Sequence, residues 1–150
     1  MMAAGLDVAD LSLVEAADAV RKGEVSAVSL LEACLANLDS HEGAVNATIW
    51  VDKEAAFTAA RAADAKRAAG GLLGPLHGLP LAHKDMYYQA GRLSSCGSAI
   101  RRDFVPDYSA TVIERLSAAG AYAFAGLNMA EFAQNGTDHQ PEDALNDVYA

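Results

Sequence analysis

Two short apolar segments joined by a long crossover constrain the fold of this chain more than any other feature. Leu79–His83 and Ala121–Ala125 each have the composition of a buried β-strand. A glycine- and serine-rich loop and a helix lie between them, and the helix is expected to begin at Asp107 or Ser109 and end at Gly120. A strand, a crossover with a helix and a second strand form a right-handed βαβ unit of a parallel sheet. The sequence therefore predicts an α/β fold.

The part of the chain before this unit predicts mainly helices. Ser12 and Glu15 have the spacing of a capping box for a first helix, which ends at Gly23. The remaining predicted elements are a second helix from Ser26, a strand over Ala47–Val51 and a third, alanine-rich helix from Asp52. The expected fold is thus a set of N-terminal helices followed by a βαβ unit of a mixed or parallel sheet.

Charge and composition exclude several classes of partner. The net charge is −9, from 20 acidic and 11 basic residues, which argues against nucleic acid and anionic membranes. No apolar run is long enough to span a bilayer, and the N-terminus lacks the basic region of a signal peptide, so we expect a cytoplasmic protein. The two cysteines, Cys34 and Cys96, are expected to be ordinary reduced thiols rather than a disulfide or a metal pair.

The C-terminal stretch differs from the rest of the chain. Residues 134–150 contain four acidic residues, no lysine or arginine and little apolar periodicity. We therefore expect an acidic, poorly ordered tail there, with residues 1–133 forming the folded part.

Lys84 is the most informative single residue. It directly follows the strand Leu79–His83, and functional sites usually form at the C-terminal ends of parallel strands. Taken alone, Lys84 beside Asp85 is more typical of two solvated charges than of catalysis. Four ordered elements change that interpretation: the block Gly74–Asp85 (G-P-L-H-G-L-P-L-A-H-K-D), Ser95–Ser98, the stretch Phe104–Ala121 and the turn Asn128–Ala133 (N-M-A-E-F-A).

Together these elements resemble the amidase-signature family, whose blocks include G-P-L-x-G-x-P-x-x-x-K-D, T/S-x-G-S and N-M-x-E-F-A. The chain is identified as the N-terminal portion of a Ser–cis-Ser–Lys amidase, with an incomplete amidase-signature fold. The resemblance implies hydrolysis of a small-molecule carboxamide through an acyl-serine intermediate, without metal or cofactor. The family's two triad serines lie in a segment beyond the matching blocks, so the 150-residue chain alone is expected to be inactive.

The resemblance also implies roles for two residues. Lys84 would be the catalytic base behind a bridging serine, and Ala133 would bind substrate. A lysine base has to be neutral, and because a free lysine has a pKa of about 10.4, desolvation or a like charge must contribute about 4 kcal/mol. Asp85 would oppose neutrality unless its carboxylate points elsewhere. Ser94, Ser95, Ser98 and Ser109 belong to other elements and are not expected to be the nucleophile.

Two alternatives remain open. The first is the glutaminase subunit of a tRNA-dependent amidotransferase, which the same motifs fit. The second is a truncated, non-catalytic interaction module. The isolated 150-residue chain is expected to self-associate, because Leu79, Leu81 and the Tyr122–Phe124 strand would expose apolar surface if the rest of the fold were missing.

Overall fold

The structure is a computed structural model that describes residues 8–134. Its helices are α1 (Leu13–Lys22), α2 (Ala27–Val45), α3 (Lys53–Ala68) and α4 (Thr111–Ala118). Its strands are β1 (Thr48–Val51), β2 (Pro80–Lys84) and β3 (Tyr122–Leu127). Short 3-10 helices occur at Val8–Asp10, Ala99–Arg101 and Glu131–Ala133. The predicted α/β class and the order of the elements are confirmed.

The first three helices begin at the caps that the sequence predicts. At α1, the Glu15 amide donates to the Ser12 hydroxyl and the Ser12 amide donates back to the Glu15 carboxylate at 2.9 Å, which completes the capping box. At α2, the Ser26 hydroxyl accepts from the Ser29 amide at 2.9 Å. At α3, the Asp52 carboxylate accepts from the Ala55 amide at 2.9 Å. Each bond satisfies a donor that the first turn of a helix otherwise leaves free.

The three strands form one mixed sheet in the order β1-β3-β2. β1 runs antiparallel to β3, with Thr48 opposite Leu127 and a bulge before Trp50. Between β2 and β3, the Tyr122 amide donates to the Leu79 carbonyl and the Asp85 amide to the Leu127 carbonyl. Because the paired positions rise together along both strands, β2 and β3 are parallel. The predicted parallel neighbours are therefore confirmed.

The chain divides into two compact units. The first comprises Met1–Asn46, Asp52–Leu81 and Leu116–Phe124, and the second comprises Ala47–Val51, Ala82–Arg115 and Ala125–Ala150. Of these ranges the structure describes only residues 8–134. The predicted acidic tail thus lies outside the described residues from position 135 onward. No helix within residues 8–134 has the length and apolarity needed to cross a bilayer.

The first unit has an aliphatic core built on α1 and α2. Its centre is Ala16, Val20, Leu30 and Leu79, and Leu79 is 3% exposed. The expectation that Leu79 exposes apolar surface is therefore wrong, because α1 and α2 of the same chain already cover it. Phe124 is buried as well. Burial of a leucine side chain is worth about 1.5–3 kcal/mol, which favours this local closure.

The second unit contains many buried polar groups. His83, Asp85, Ser94, Ser95 and Ser98 are all buried within it. Aromatic contacts complete its packing: the ring of Tyr88 lies 5.4 Å from that of Phe104 and 5.6 Å from that of Tyr108. Since buried polar groups are stable only when hydrogen-bonded, this unit depends on its hydrogen-bond network.

Two glycines provide a test of the first unit. A Cβ at Gly74 would collide with the backbone carbonyl of Ala119, which also accepts a hydrogen bond from the Leu76 amide. Gly74→Ala is expected to lower the free energy of unfolding by about 1–3 kcal/mol, since the backbone has to move. Gly43 lies in α2, and a Cβ built there meets no other part of the protein within 4 Å. Gly43→Ala should therefore raise the free energy of unfolding by about 0.5–1 kcal/mol. Urea unfolding followed by circular dichroism measures both, and equal effects would contradict the close approach at Gly74.

Candidate active site

Lys84 is the last residue of β2, at the C-terminal end of a strand that runs parallel to β3. Its side chain is half-buried. Its carbonyl accepts a hydrogen bond from the Tyr87 amide at 3.0 Å, which starts the turn after the strand. Within residues 8–134, no carboxylate forms an ion pair with its ammonium group. The predicted base therefore lies where parallel sheets commonly place functional groups.

Asp85, the next residue, is buried and its carboxylate is directed at a loop. One carboxylate oxygen accepts from the Ser95 amide at 3.0 Å and from the Ser95 hydroxyl at 2.7 Å, and the Gly97 amide lies 3.4 Å away. The Asp85 carbonyl accepts from the Ser94 hydroxyl at 2.6 Å. Asp85 thus directs its charge into the loop Ser94–Ser98, which we call the serine loop.

The three serine hydroxyls of the serine loop already have hydrogen-bond partners. Besides the bonds of Ser94 and Ser95 to Asp85, the Ser98 hydroxyl donates to the Glu131 carboxylate at 2.6 Å. The Ser109 hydroxyl, outside the loop, accepts from the Ala90 amide at 3.0 Å. These engagements support the interpretation that none of the four serines is the nucleophile.

Cys96 lies in the serine loop with a positive φ of 55° and is buried. Burial raises the pKa of its thiol; the charge of Arg101 acts in the opposite direction and that of Asp85 in the same one. Because the thiolate is the reactive form, a raised pKa leaves the thiol protonated and weakly nucleophilic at neutral pH. This supports a structural role for Cys96.

The segment Asn128–Ala133, here called the distal turn, rests on the serine loop. The Phe132 amide donates to the Cys96 carbonyl at 2.9 Å, and a Cβ at Gly97 would lie 2.6 Å from the Met129 carbonyl oxygen. Ala133, the predicted substrate-binding residue, ends this turn and is exposed. Lys84 and Ala133 are thus connected through Asp85 and the serine loop.

The buried histidines have structural partners. The His83 Nε2 atom is 2.9 Å from the Gln89 side-chain oxygen, and its ring meets that of Trp50 edge-on at 5.9 Å. In the first unit, the His77 Nε2 atom is 2.9 Å from the Ala63 carbonyl. Residues 8–134 contain no group of three or more His, Cys, Asp and Glu side chains that could hold a metal ion.

A cleft of about 380 Å³ opens beside the serine loop in the second unit. Its lining is almost entirely apolar or aromatic and consists of Met86, Tyr88, Cys96, Tyr108, Ala110, Met129 and Phe132. The lining therefore includes the residue two positions after Lys84, one residue of the serine loop and two of the distal turn.

Comparison with known proteins shows the family of the chain. The family profile described as Amidase matches residues 29–141, which include the K-D block, the serine loop and the distal turn. The chain belongs to the amidase family. Within this family, it is 46% identical over 123 residues to the A subunit of glutamyl-tRNA(Gln) amidotransferase from Chloroflexus aurantiacus and 41% identical over 128 residues to that from Lachnospira eligens.

These amidase relatives are longer than the chain. The matches cover 82% and 85% of this chain but only 25% and 27% of the two relatives. A solved peptide amidase from Stenotrophomonas maltophilia is 29% identical, with a TM-score of 0.75 over 84% of this chain and 26% of that protein. The described residues therefore have the fold of one part of an amidase.

Asp85 is the residue of the candidate site whose role the sequence did not reveal. The sequence left the direction of its carboxylate open, whereas the structure gives it three donors in the serine loop. A signal was present in the sequence, because an aspartate at the end of a buried strand is followed by a loop rich in glycine and serine. Such a loop offers backbone amides and hydroxyls that can donate to a carboxylate. Spacing along the chain does not by itself connect the two.

Replacing Asp85 tests this network. In Asp85→Asn, an amide NH₂ would face at least one of the loop donors, so the free energy of unfolding should fall by about 1–3 kcal/mol. Asp107→Asn, at an exposed aspartate of the same unit, is the control and should change it by less than about 0.5 kcal/mol. Urea unfolding gives both values, and hydrogen exchange should show faster exchange of the Ser95 amide only in Asp85→Asn. Unchanged exchange there would contradict the network.

Proposed function

We propose that this chain forms the lysine-bearing part of an amidase that cleaves a carboxamide through an acyl-serine intermediate, with Lys84 as the proton acceptor. The observation that carries the proposal is that two adjacent charged residues, Asp85 and Lys84, differ in their partners. The Asp85 carboxylate is occupied by the serine loop, whereas Lys84 has no carboxylate partner within residues 8–134. A paired carboxylate would favour the ammonium form, which cannot accept a proton.

The proposed chemistry is a proton relay. The neutral Lys84 amine accepts a proton from a bridging serine, which in turn accepts one from the nucleophilic serine as that oxygen attacks the amide carbon. The proton returns through the same path to the departing amine, and water then hydrolyses the acyl-serine. Both serines come, in this proposal, from the part of the family's sequence that follows the distal turn.

Ala133 is proposed to line the substrate position. The distal turn contributes Met129 and Phe132 to the apolar cleft, and Ala133 follows Phe132 directly. A small exposed residue at that place would leave room for a bound amide. The substrate class implied is a small-molecule carboxamide.

The role of Lys84 can be tested in a chimera in which residues 8–134 replace the aligned segment of the Chloroflexus aurantiacus protein, here called the amidotransferase chimera. Lys84→Arg keeps the positive charge but cannot supply a neutral base, so kcat should fall by about 10²–10⁴-fold. Lys84→Met should lose as much. Ammonia release from a carboxamide measures the rates.

The matched control is Lys53→Arg, because Lys53 is exposed and pairs with Asp39 at the surface. It should keep the parent rate. If Lys84→Arg also keeps the rate within about tenfold, Lys84 acts only through its charge and the relay is wrong. A folded but inactive parent chimera would favour a non-catalytic interaction module.

A second candidate function is the glutaminase activity of an amidotransferase. It is favoured by identities of 41–46% to proteins named as amidotransferase subunits, against 29% to the peptide amidase. In that case the protein would work with partner subunits, as the word subunit in the relatives' names suggests.

Glutamine hydrolysis distinguishes the two candidates. If the glutaminase proposal holds, the amidotransferase chimera should keep kcat/KM for glutamine within about tenfold of the parent Chloroflexus aurantiacus protein. The same residues placed in the peptide amidase should give a poor enzyme on peptide amides. The reverse result would favour the amidase that acts alone.

A further inference from the structure

We infer that Ser98 and Glu131 are positioning residues, which hold the distal turn in the conformation that presents Ala133 to the substrate. The inference rests on the proposed function for its account of the substrate. It concerns a hydrogen bond between two side chains that the proposed chemistry does not use, the 2.6 Å bond from the Ser98 hydroxyl to the Glu131 carboxylate.

The distal turn has a conformation that its own residues disfavour. Phe132 has φ 47° and ψ 28°, and Ala133 has φ 57°. Residues with a Cβ rarely adopt these left-handed backbone angles, and two such residues in succession are rarer still. Such strain persists only where surrounding contacts fix the backbone, and it is concentrated at functional sites. The contacts around the turn therefore decide whether Ala133 keeps its place.

The serine loop supplies those contacts. The Cys96 carbonyl accepts from the Phe132 amide at 2.9 Å, directly within the strained pair. Gly97 has a φ of 66°, and its missing side chain lets the Met129 carbonyl approach closely. Ser98 adds the third contact through Glu131, so three successive loop residues hold the turn.

The Ser98–Glu131 bond differs from the other two contacts because it depends on side chains. Ser98 is 1% exposed, so its hydroxyl needs an acceptor, whereas Glu131 is exposed and could be solvated by water instead. Core packing therefore does not require the Glu131 side chain to be where it is. Its distance to Ser98 is typical of a hydroxyl donating to an ionised carboxylate, which is a strong and directional bond.

The loop that holds the turn is itself held by Asp85, next to Lys84. The serine loop thus fixes Asp85, which follows the proposed base, and the backbone of Phe132, which precedes the proposed substrate contact Ala133. Loss of the Ser98–Glu131 bond should therefore loosen the distal turn around Ala133 while leaving Lys84 and Asp85 in place.

Steady-state kinetics of the amidotransferase chimera test this separation. Glu131→Ala should raise KM about tenfold or more while kcat changes less than about threefold, because binding geometry is lost before chemistry. Glu131→Gln keeps an oxygen acceptor for Ser98 and should restore KM to within about threefold of the parent. The control Glu114→Ala, at an exposed glutamate of α4, should change neither parameter.

A measurement on the 150-residue chain, independent of activity, accompanies the kinetics. In Glu131→Ala the Phe132 amide should exchange its hydrogen faster, and iodoacetamide should alkylate the buried Cys96 faster. Both rates should return to the parent values in Glu131→Gln. Unchanged rates in Glu131→Ala would overturn the inference.

The outcomes separate this inference from the proposed function. A parent chimera that hydrolyses no amide contradicts the function, while exchange of the Phe132 amide still decides whether the bond holds the turn. A Glu131→Ala chimera with lower stability and lower kcat but an unchanged KM would show a merely structural bond, and would overturn the positioning role.

Discussion

A carboxylate removed from water is stable only if several donors replace its hydration, and Asp85 meets this requirement through the backbone and hydroxyl of Ser95 and the amide of Gly97. Those donors belong to a loop without regular secondary structure. Because the carboxylate is fixed at the end of β2, the loop has to fold around it. The position of the serine loop therefore depends on one desolvated charge, and the position of the distal turn depends on that loop.

The features that the sequence predicted well are short-range. A helix cap needs only a serine or aspartate and an amide three residues later, so Ser12, Ser26 and Asp52 marked the starts of α1, α2 and α3 correctly. The parallel pairing of β2 with β3 was also predictable, because a crossover through a helix permits few other arrangements. The family followed from four ordered motifs, and the role proposed for Lys84 followed from the family.

The features that escaped prediction depend on distant partners. Leu79 was expected to be exposed, yet α1 and α2 bury it, and no local pattern reveals which helices will cover a strand. The antiparallel pairing of β1 with β3 joins segments far apart in the chain. The direction of the Asp85 side chain was open for the same reason, since its donors lie ten and twelve positions later.

The order of the strands has a consequence for synthesis. In the described part of the chain, β3 is the central strand and the last to be made, while β1 and β2 pair only with it. Both earlier strands consequently leave the ribosome with exposed, hydrated backbone edges, which cannot pair with β3 until the chain has been made as far as Leu127. Such edges are open to wrong partners during that interval. A slow stretch of translation just before β3 would lengthen the exposure, whereas α1, α2 and α3 can form at once from local bonds.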